Sequence, residues 1–261
     1  MILTEFSVDG KVAIVTGAGR GIGKAISLAL ARAGADIVAA ARTKEEIEET
    51  CREVKDLGRQ SLAIPTDVTK ADQVEGMVEE VLGHFKRIDI LVNNAGAVTL
   101  KAIVGLDGTR LTEEEWHQVM DTNLTSAFLC CRAVGPHMFK QKKGKVINIS
   151  SNNAQKGNTE IISYNTSKAA LSMFTRCLAL EWAPFKINVN AIGPGDFYTK
   201  LSAWHHDDPK LREKMMAHIP LGRVGDVGEI GLLAVYLASP ASDFITGQTI
   251  FSDGGELAFS P

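Results

Sequence analysis

The sequence predicts a doubly wound α/β fold, in one domain spanning residues 1–261. Two patterns carry this. Short β-branched runs alternate with helix-length amphipathic stretches almost from end to end, and a glycine-rich turn stands directly between the first such run and the first helix. Strands separated by helical segments make βαβ units, and these build a parallel sheet covered on both faces. The sheet expected has seven strands, mostly parallel, with helices on both faces.

The elements follow in order. Lys11–Thr16 (KVAIVT) is a buried-strand run closed by Gly17, and Ile22, Ala25, Ile26, Ala29, Leu30 and Ala33 then recur at helical spacing until Gly34. Asp36–Ala41 (DIVAAA) is the second strand, and Thr43 with Glu46 forms a capping box for a helix that Gly58 stops. Ser61–Ile64 is the third strand, with a helix to about Phe85, and Asp89–Val92 (DILV) is the fourth. Leu111 to about Phe139 reads as one long helix, with Thr112 and Glu115 as its capping box. Lys145–Ile149, Lys186–Ile192 and Gln248–Phe251 complete the strands, and Tyr164–Trp182 and Asp226–Leu237 are helices. No repeat, low-complexity run or Pro/Ser-rich linker interrupts the pattern.

Composition narrows the function classes. A net charge of −3 gives no electrostatic footprint for nucleic acid or an anionic membrane surface, and 45% hydrophobic residues suffice for a sizeable core. The amino-terminal stretch carries Glu5 and Asp9 and has no apolar core of signal-peptide length, and no apolar run approaches a membrane span. Cys51, Cys130, Cys131 and Cys177 show no C-x-x-C spacing and read as free buried thiols in a reducing compartment. His205 and His206 are adjacent and diverge on a helix, so no metal is expected. The location expected is cytoplasmic.

Thr16-Gly17-Ala18-Gly19-Arg20-Gly21-Ile22-Gly23 occupies the strand-to-helix turn that a dinucleotide pyrophosphate requires. Glycines let the backbone approach the phosphates, and a helix N-terminus offers amides and a positive dipole end. Gly17, Gly21, Ile22 and Gly23 are therefore candidate cofactor contacts. At the end of the second strand, where a carboxylate would hold a ribose 2′-hydroxyl, stand Ala41 and Arg42, and Arg20 lies in the loop itself. Two guanidiniums and no carboxylate favour a 2′-phosphate, so NADP is the expected cofactor and NAD the alternative.

Three further signals follow in order. Asn93-Asn94-Ala95-Gly96 follows the fourth strand and Ser150-Ser151 closes the fifth, while Tyr164-x-x-x-Lys168 puts phenol and amine one helical turn apart. Behind the glycine loop, these motifs resemble those of the classical short-chain dehydrogenase/reductase family. The likeness runs from Gly10-Lys11-Val12 to Asp253-Gly254-Gly255 and takes in Asp67-Val68, Asn123, Pro194-Gly195 and Thr199. Two departures are a longer segment at 97–111 and Asn152-Asn153 after the serine.

The resemblance implies a Rossmann domain that interconverts a secondary alcohol and a ketone. It implies Tyr164 as acid/base, Ser151 as orienter of the substrate oxygen, and Lys168 as a phenolate stabiliser that also binds the nicotinamide ribose. Asn123 would hold a helix distortion and a water, Asp67 and Val68 would meet adenine, and Asn94, Ala95 and Gly96 would meet the adenosine-side ribose. Pro194, Gly195 and Thr199 would lie at the nicotinamide amide, with residues 196–218 as the substrate wall. A homotetramer is also implied. The pattern is most similar to gluconate 5-dehydrogenases and deoxygluconate dehydrogenases, with 3-oxoacyl-carrier-protein or hydroxysteroid reductases as alternatives. A catalytically silent dinucleotide-binding protein on the same fold is the reading from another class. Asn152, Asn153, Gln155, Asn158 and Thr159 beside the serine, with His205 and His206 in the wall, point to a small polar substrate such as a sugar acid or polyol.

Overall fold

The strands consist mostly of β-branched and small apolar residues, which alternate between the two faces of the sheet. The structure, a computed structural model, describes residues 3–259, except that His205 in the substrate wall lies outside the described residues as far as its side chain is concerned. Strands β1 (Val12–Thr16), β2 (Asp36–Ala41), β3 (Ser61–Pro65), β4 (Ile90–Asn93), β5 (Gly144–Ile149), β6 (Ile187–Pro194) and β7 (Thr249–Ser252) form one sheet in the order β3-β2-β1-β4-β5-β6-β7. All six pairings are parallel, so the sheet is parallel throughout rather than mostly.

The helices are α1 (Gly21–Arg32), α2 (Lys44–Asp56), α3 (Ala71–Phe85), α4 (Glu113–Met120), α5 (Ser126–Gln141), α6 (Ile162–Trp182), α7 (Ala203–His206), α8 (Pro209–Met216) and α9 (Val227–Ala238). Ala13, Val15, Ile37, Ala39 and Val92 point from the sheet to α1, α2 and α9, where Ile26, Leu30, Ile47 and Ile230 meet them. Val12, Ile14, Val38, Ala40 and Leu91 point the other way, onto Val78, Val81, Val134 and Met138 of α3 and α5 and Leu178 of α6. Period-two alternation on strands and a 3.6-residue stripe on helices thus close two cores, one on each face.

Local chemistry sets several helix boundaries. Thr112 accepts from the Glu115 amide and the Glu115 carboxylate accepts from the Thr112 amide, which is the capping box expected there. The box expected from Thr43 and Glu46 does not form: Thr43 makes no side-chain cap bond, and Glu46 instead accepts from Arg20 at 2.8 Å. The guanidinium across the glycine turn outcompetes a neutral backbone amide for that carboxylate. The long helix read from Leu111 to Phe139 starts at Glu113 and is interrupted by a π turn at Asp121–Thr125. Cys51, Cys130 and Cys131 are buried as expected, whereas Cys177 is exposed, because its position on α6 faces away from the sheet. Burial pushes the Cys130 thiol up to about 12, which fits an inert packing residue. Phe128 is exposed beneath the Arg132 guanidinium, and Trp116 is half-buried. Among the described residues, no helix is long and apolar enough to cross a membrane.

Candidate active site

The sheet order reverses between β1 and β4, and the crevice beyond the carboxyl ends of these strands is where ligands bind in open α/β sheets. Both the glycine loop and Asn94–Gly96 emerge there. Gly17 and Gly21 adopt φ of +64° and +54°, a region that residues with a Cβ rarely adopt. A Cβ on Gly23 would lie 2.2 Å from the Gly17 carbonyl oxygen and 2.4 Å from Asn94 Nδ2. The first bond of α1 near this end runs from the Lys24 amide to the Arg20 carbonyl at 3.3 Å, so the amides of Gly21, Ile22 and Gly23 precede the helical ladder. An open turn backed by such amides fits a pyrophosphate.

The residues holding this turn open were only partly legible. Asn94 Nδ2 donates to the carbonyls of Thr16 at 2.8 Å and Gly17 at 3.2 Å. The Thr16 hydroxyl accepts from the amides of Asn94 and Ala95 at 3.0 and 3.1 Å. The asparagine expected at a ribose is thus also a clamp on the glycine loop, and Thr16 is its partner. No local pattern reveals such a bond across 78 residues.

Arg20 and Arg42 are both exposed beside this loop, Arg20 already paired with Glu46. Asp67 accepts from the Thr69 amide at 3.0 Å and hydroxyl at 2.7 Å, so it closes a turn. Burial by itself would raise its pKa; the Thr69 bonds, with the charges of Arg42 and Lys70, outweigh that and hold the carboxyl below its ordinary value. Val68 beside it is buried. Pro194 ends β6, Gly195 packs on Asp253, and the Thr199 methyl lies 3.5 Å from the position of a Cβ on Gly21. The segment expected at the nicotinamide amide therefore overhangs the glycine loop.

Ser151, Tyr164 and Lys168 meet at the mouth of the same crevice. Ser151 lies just past the end of β5, and Tyr164 and Lys168 sit one turn apart near the start of α6, which crosses behind it. The Tyr164 phenol lies near the Ser151 hydroxyl, whose own bonds run to Asn152 Oδ1 and from the Asn153 amide. Lys168 is only 4% exposed; its Nζ donates to the Ile149 carbonyl at 2.7 Å and lies 5.6 Å from the centre of the Tyr164 ring. Burial raises the Tyr164 pKa, the neighbouring Ser151 hydroxyl opposes this, and the Asp196 charge adds to it. Burial lowers Lys168 to about 8. A Cβ on Gly96 would lie 3.8 Å from Lys168 Nζ and 3.5 Å from Asn123 Oδ1, which places the fourth strand's exit against the same pair.

Asn123 is buried on the π turn between α4 and α5. Its Oδ1 accepts from the Ala97 amide at 2.7 Å, and its Nδ2 donates to the Ala97 carbonyl at 3.0 Å and to Ser167 Oγ at 2.9 Å. The widened turn aims this side chain inward and ties three chain segments together. Of the polar residues after the serine, Asn152 is buried and Asn153 half-buried, whereas Gln155, Asn158 and Thr159 are exposed. In the wall, Tyr198 donates to Asp207 at 3.2 Å and its ring meets His206 edge-on. The long segment at 97–111 forms a tight excursion closed by a bridge between Val104 and Arg110, and its Lys101 amide bonds the Glu160 carbonyl. Among the described residues, no group of three or more His, Cys, Asp or Glu side chains could hold a metal ion.

Fold and site together define an oxidoreductase of the doubly wound class. A family model described as enoyl-(acyl carrier protein) reductase matches residues 17–256. The chain is 39% identical to 2-dehydro-3-deoxy-D-gluconate 5-dehydrogenase of Escherichia coli over 99% of this chain and 100% of that protein. It is also 39% identical to a 3-oxoacyl-[acyl-carrier-protein] reductase of Staphylococcus epidermidis, over 94% of this chain and 98% of the relative. A gluconate 5-dehydrogenase from Burkholderia cenocepacia, solved with NADP and tartrate, superposes with a TM-score of 0.93 at 36% identity, covering 98% of this chain and 99% of that one. The chain belongs to the short-chain dehydrogenase/reductase family.

Proposed function

We propose that the protein is an NADP-dependent oxidoreductase interconverting a secondary alcohol and a ketone, with a small polar sugar acid or polyol as substrate. The observation that carries this is Tyr164 beside Ser151, with buried Lys168 one helical turn away, at the crevice that the glycine loop shapes. When bound, the nicotinamide supplies or accepts the hydride. Gly17, Arg20, Gly21, Ile22 and Gly23 would hold the phosphates, with Arg42 at the 2′-phosphate and Asp67 and Val68 at adenine. Asn94, Ala95 and Gly96 would meet the adenosine-side ribose, and Pro194, Gly195 and Thr199 the nicotinamide amide. In reduction, Ser151 donates to the carbonyl oxygen and Tyr164 delivers its proton there, leaving a phenolate. The Lys168 ammonium stabilises that phenolate and holds the nicotinamide ribose, and Asn123 ties the Ala97 backbone to the Ser167 hydroxyl beneath it.

Half-buried Asn153, two residues past Ser151, supports a hydroxylated substrate, since a polar side chain in the site is left short of partners around an apolar ligand. The similarity to deoxygluconate and gluconate dehydrogenases, one solved with NADP and tartrate, supports the same class. The equally similar acyl-carrier-protein reductase favours the second reading, a 3-oxoacyl thioester. A panel of keto and hydroxy sugar acids against short acyl thioesters and steroid ketones decides: the highest kcat/KM is expected for a sugar acid, and a thioester or apolar ketone in first place overturns the polar-substrate reading.

Cofactor choice is tested separately. Wild type is expected to prefer NADPH, and Ala41→Asp with Arg42→Ala to reverse that preference, because the new carboxylate accepts from the ribose hydroxyl and repels a phosphate. Equal or better kcat/KM with NADH in the wild type overturns the assignment of Arg42. A cytoplasmic homotetramer completes the reading. Phe128 of α5, Met173 and Leu180 of α6, and Leu232 and Phe244 near the carboxyl end are exposed apolar residues that subunit contacts would cover.

A further inference from the structure

The residue after Ser151 connects it to the far end of the chain. Asn152 is 3% exposed, and a buried amide needs partners on both of its sides. Its Nδ2 donates to Glu256 Oε2 at 2.5 Å, and its Oδ1 accepts from Ser151 Oγ at 3.4 Å. The other Glu256 oxygen accepts from Lys156, and the glutamate side chain is 10% exposed. An ionised carboxylate can only accept, so it must face the NH2 group of Asn152. That fixes which way the amide points: its carbonyl faces Ser151.

The polarity of the chain Ser151–Asn152–Glu256–Lys156 is thereby set from its charged end. The Ser151 hydrogen rests on Asn152 Oδ1 in a long bond that a substrate oxygen readily replaces, and its oxygen accepts from the Asn153 amide at 3.1 Å. Glu256 opens a short turn, Glu256–Ala258, anchored by Asp253, which accepts from the amides of Gly255 at 3.0 Å and Leu257 at 2.9 Å. The same stretch bonds the start of the cofactor-amide segment, Gly195 amide to Ser252 carbonyl at 2.9 Å, and the end of the wall, Leu221 amide to Gly254 carbonyl at 3.1 Å.

We infer that Glu256 is a positioning residue: acting through Asn152, it orients the Ser151 hydroxyl and pins the 152–156 turn against the carboxyl-terminal segment. This rests on the role given to Ser151 above. Neither composition nor spacing joins residues 152 and 256, and their bond spans 104 positions.

The test uses the full chain. Glu256→Gln is expected to lower kcat/KM for ketone reduction about 10- to 100-fold, mostly in kcat, while the NADPH Kd changes less than about twofold, because a charge-assisted bond at the reacting end is lost. Hydrogen exchange at the amides of Asn153, Ala154 and Gln155 speeds up, since all three bond within the turn that Asn152 anchors. The double change Asn152→Asp with Glu256→Gln restores the pattern with charge and amide exchanged: the carboxylate at 152 accepts from both Ser151 and the amide at 256. It is expected to recover activity over the single Gln variant. Asn152→Ala, which leaves the Lys156 pair intact, reproduces the kcat loss and the faster exchange, so a misfolded Gln variant does not stall the test. Wild-type exchange at these amides in either single variant, or a double variant no better than Glu256→Gln, overturns the inference. Should the wild type turn over nothing in the substrate panel, the functional reading fails, while the exchange measurement still decides whether Glu256 holds this turn.

Discussion

Tyr164→Phe is expected to lower turnover about 100- to 10,000-fold, the range over which a positioned general acid contributes, while NADPH affinity stays within about twofold. The substitution removes one oxygen and keeps the ring that lies 5.6 Å from Lys168 Nζ. Steady-state rates and a fluorescence titration of NADPH check the two halves, and activity within tenfold of wild type overturns the assignment. The wild-type pH profile carries the same signature with a defined sign. Reduction needs the protonated phenol, so its kcat/KM is level at low pH and falls above the Tyr164 pKa; oxidation needs the phenolate and rises. Burial pushes that pKa up in the free chain and the Asp196 charge pushes it the same way, while burial lowers Lys168 to about 8.

Gly23→Ala is expected to abolish useful cofactor affinity and to cost about 1–3 kcal/mol of stability, as overpacking does where neighbours cannot move. The added methyl group would meet the Gly17 carbonyl and the Asn94 amide, and both are fixed, one by backbone and the other by its bonds to Thr16 and Gly17. Gly76→Ala is the control. That glycine is exposed in the middle of α3 with nothing within 4 Å of a Cβ, so alanine there stabilises by roughly 0.5–1 kcal/mol. Thermal unfolding and NADPH titration of the two variants separate a special glycine from an ordinary one; a Gly23 variant that binds NADPH like wild type overturns the fit of this loop to a pyrophosphate.

The seven strands and the capping residue Thr112 were legible because each depends on neighbours a few positions away. Where the reading missed, a distant partner had intervened. Glu46 looks like a capping residue until Arg20, 26 positions earlier, takes its carboxylate. Cys177 carries no local mark of exposure, since α6 is apolar on more than the side the sheet covers. The π turn leaves the hydrophobic periodicity of the long helix nearly intact, so only the resemblance pointed to a distortion at Asn123. Ser151, Tyr164 and Lys168 belong to a motif, and Thr16 to the glycine-loop motif, but neither the Thr16–Asn94 clamp nor Glu256, which holds the turn after Ser151, has a motif to find. Such bonds are written in the fold and not in the spacing.

The strand order also has a consequence for how the chain is assembled as it is made. Among the strands of this sheet β1 comes first in the chain, and it ends as an interior strand with β2 on one side and β4 on the other. Until residue 93 has emerged and β4 has docked, one edge of β1 offers unpaired backbone groups, as any open strand does. The glycine loop waits on the same event, because the bonds that close it come from Asn94, one residue beyond β4. Synthesis thus completes the phosphate-binding turn and seals that open edge of β1 in a single step.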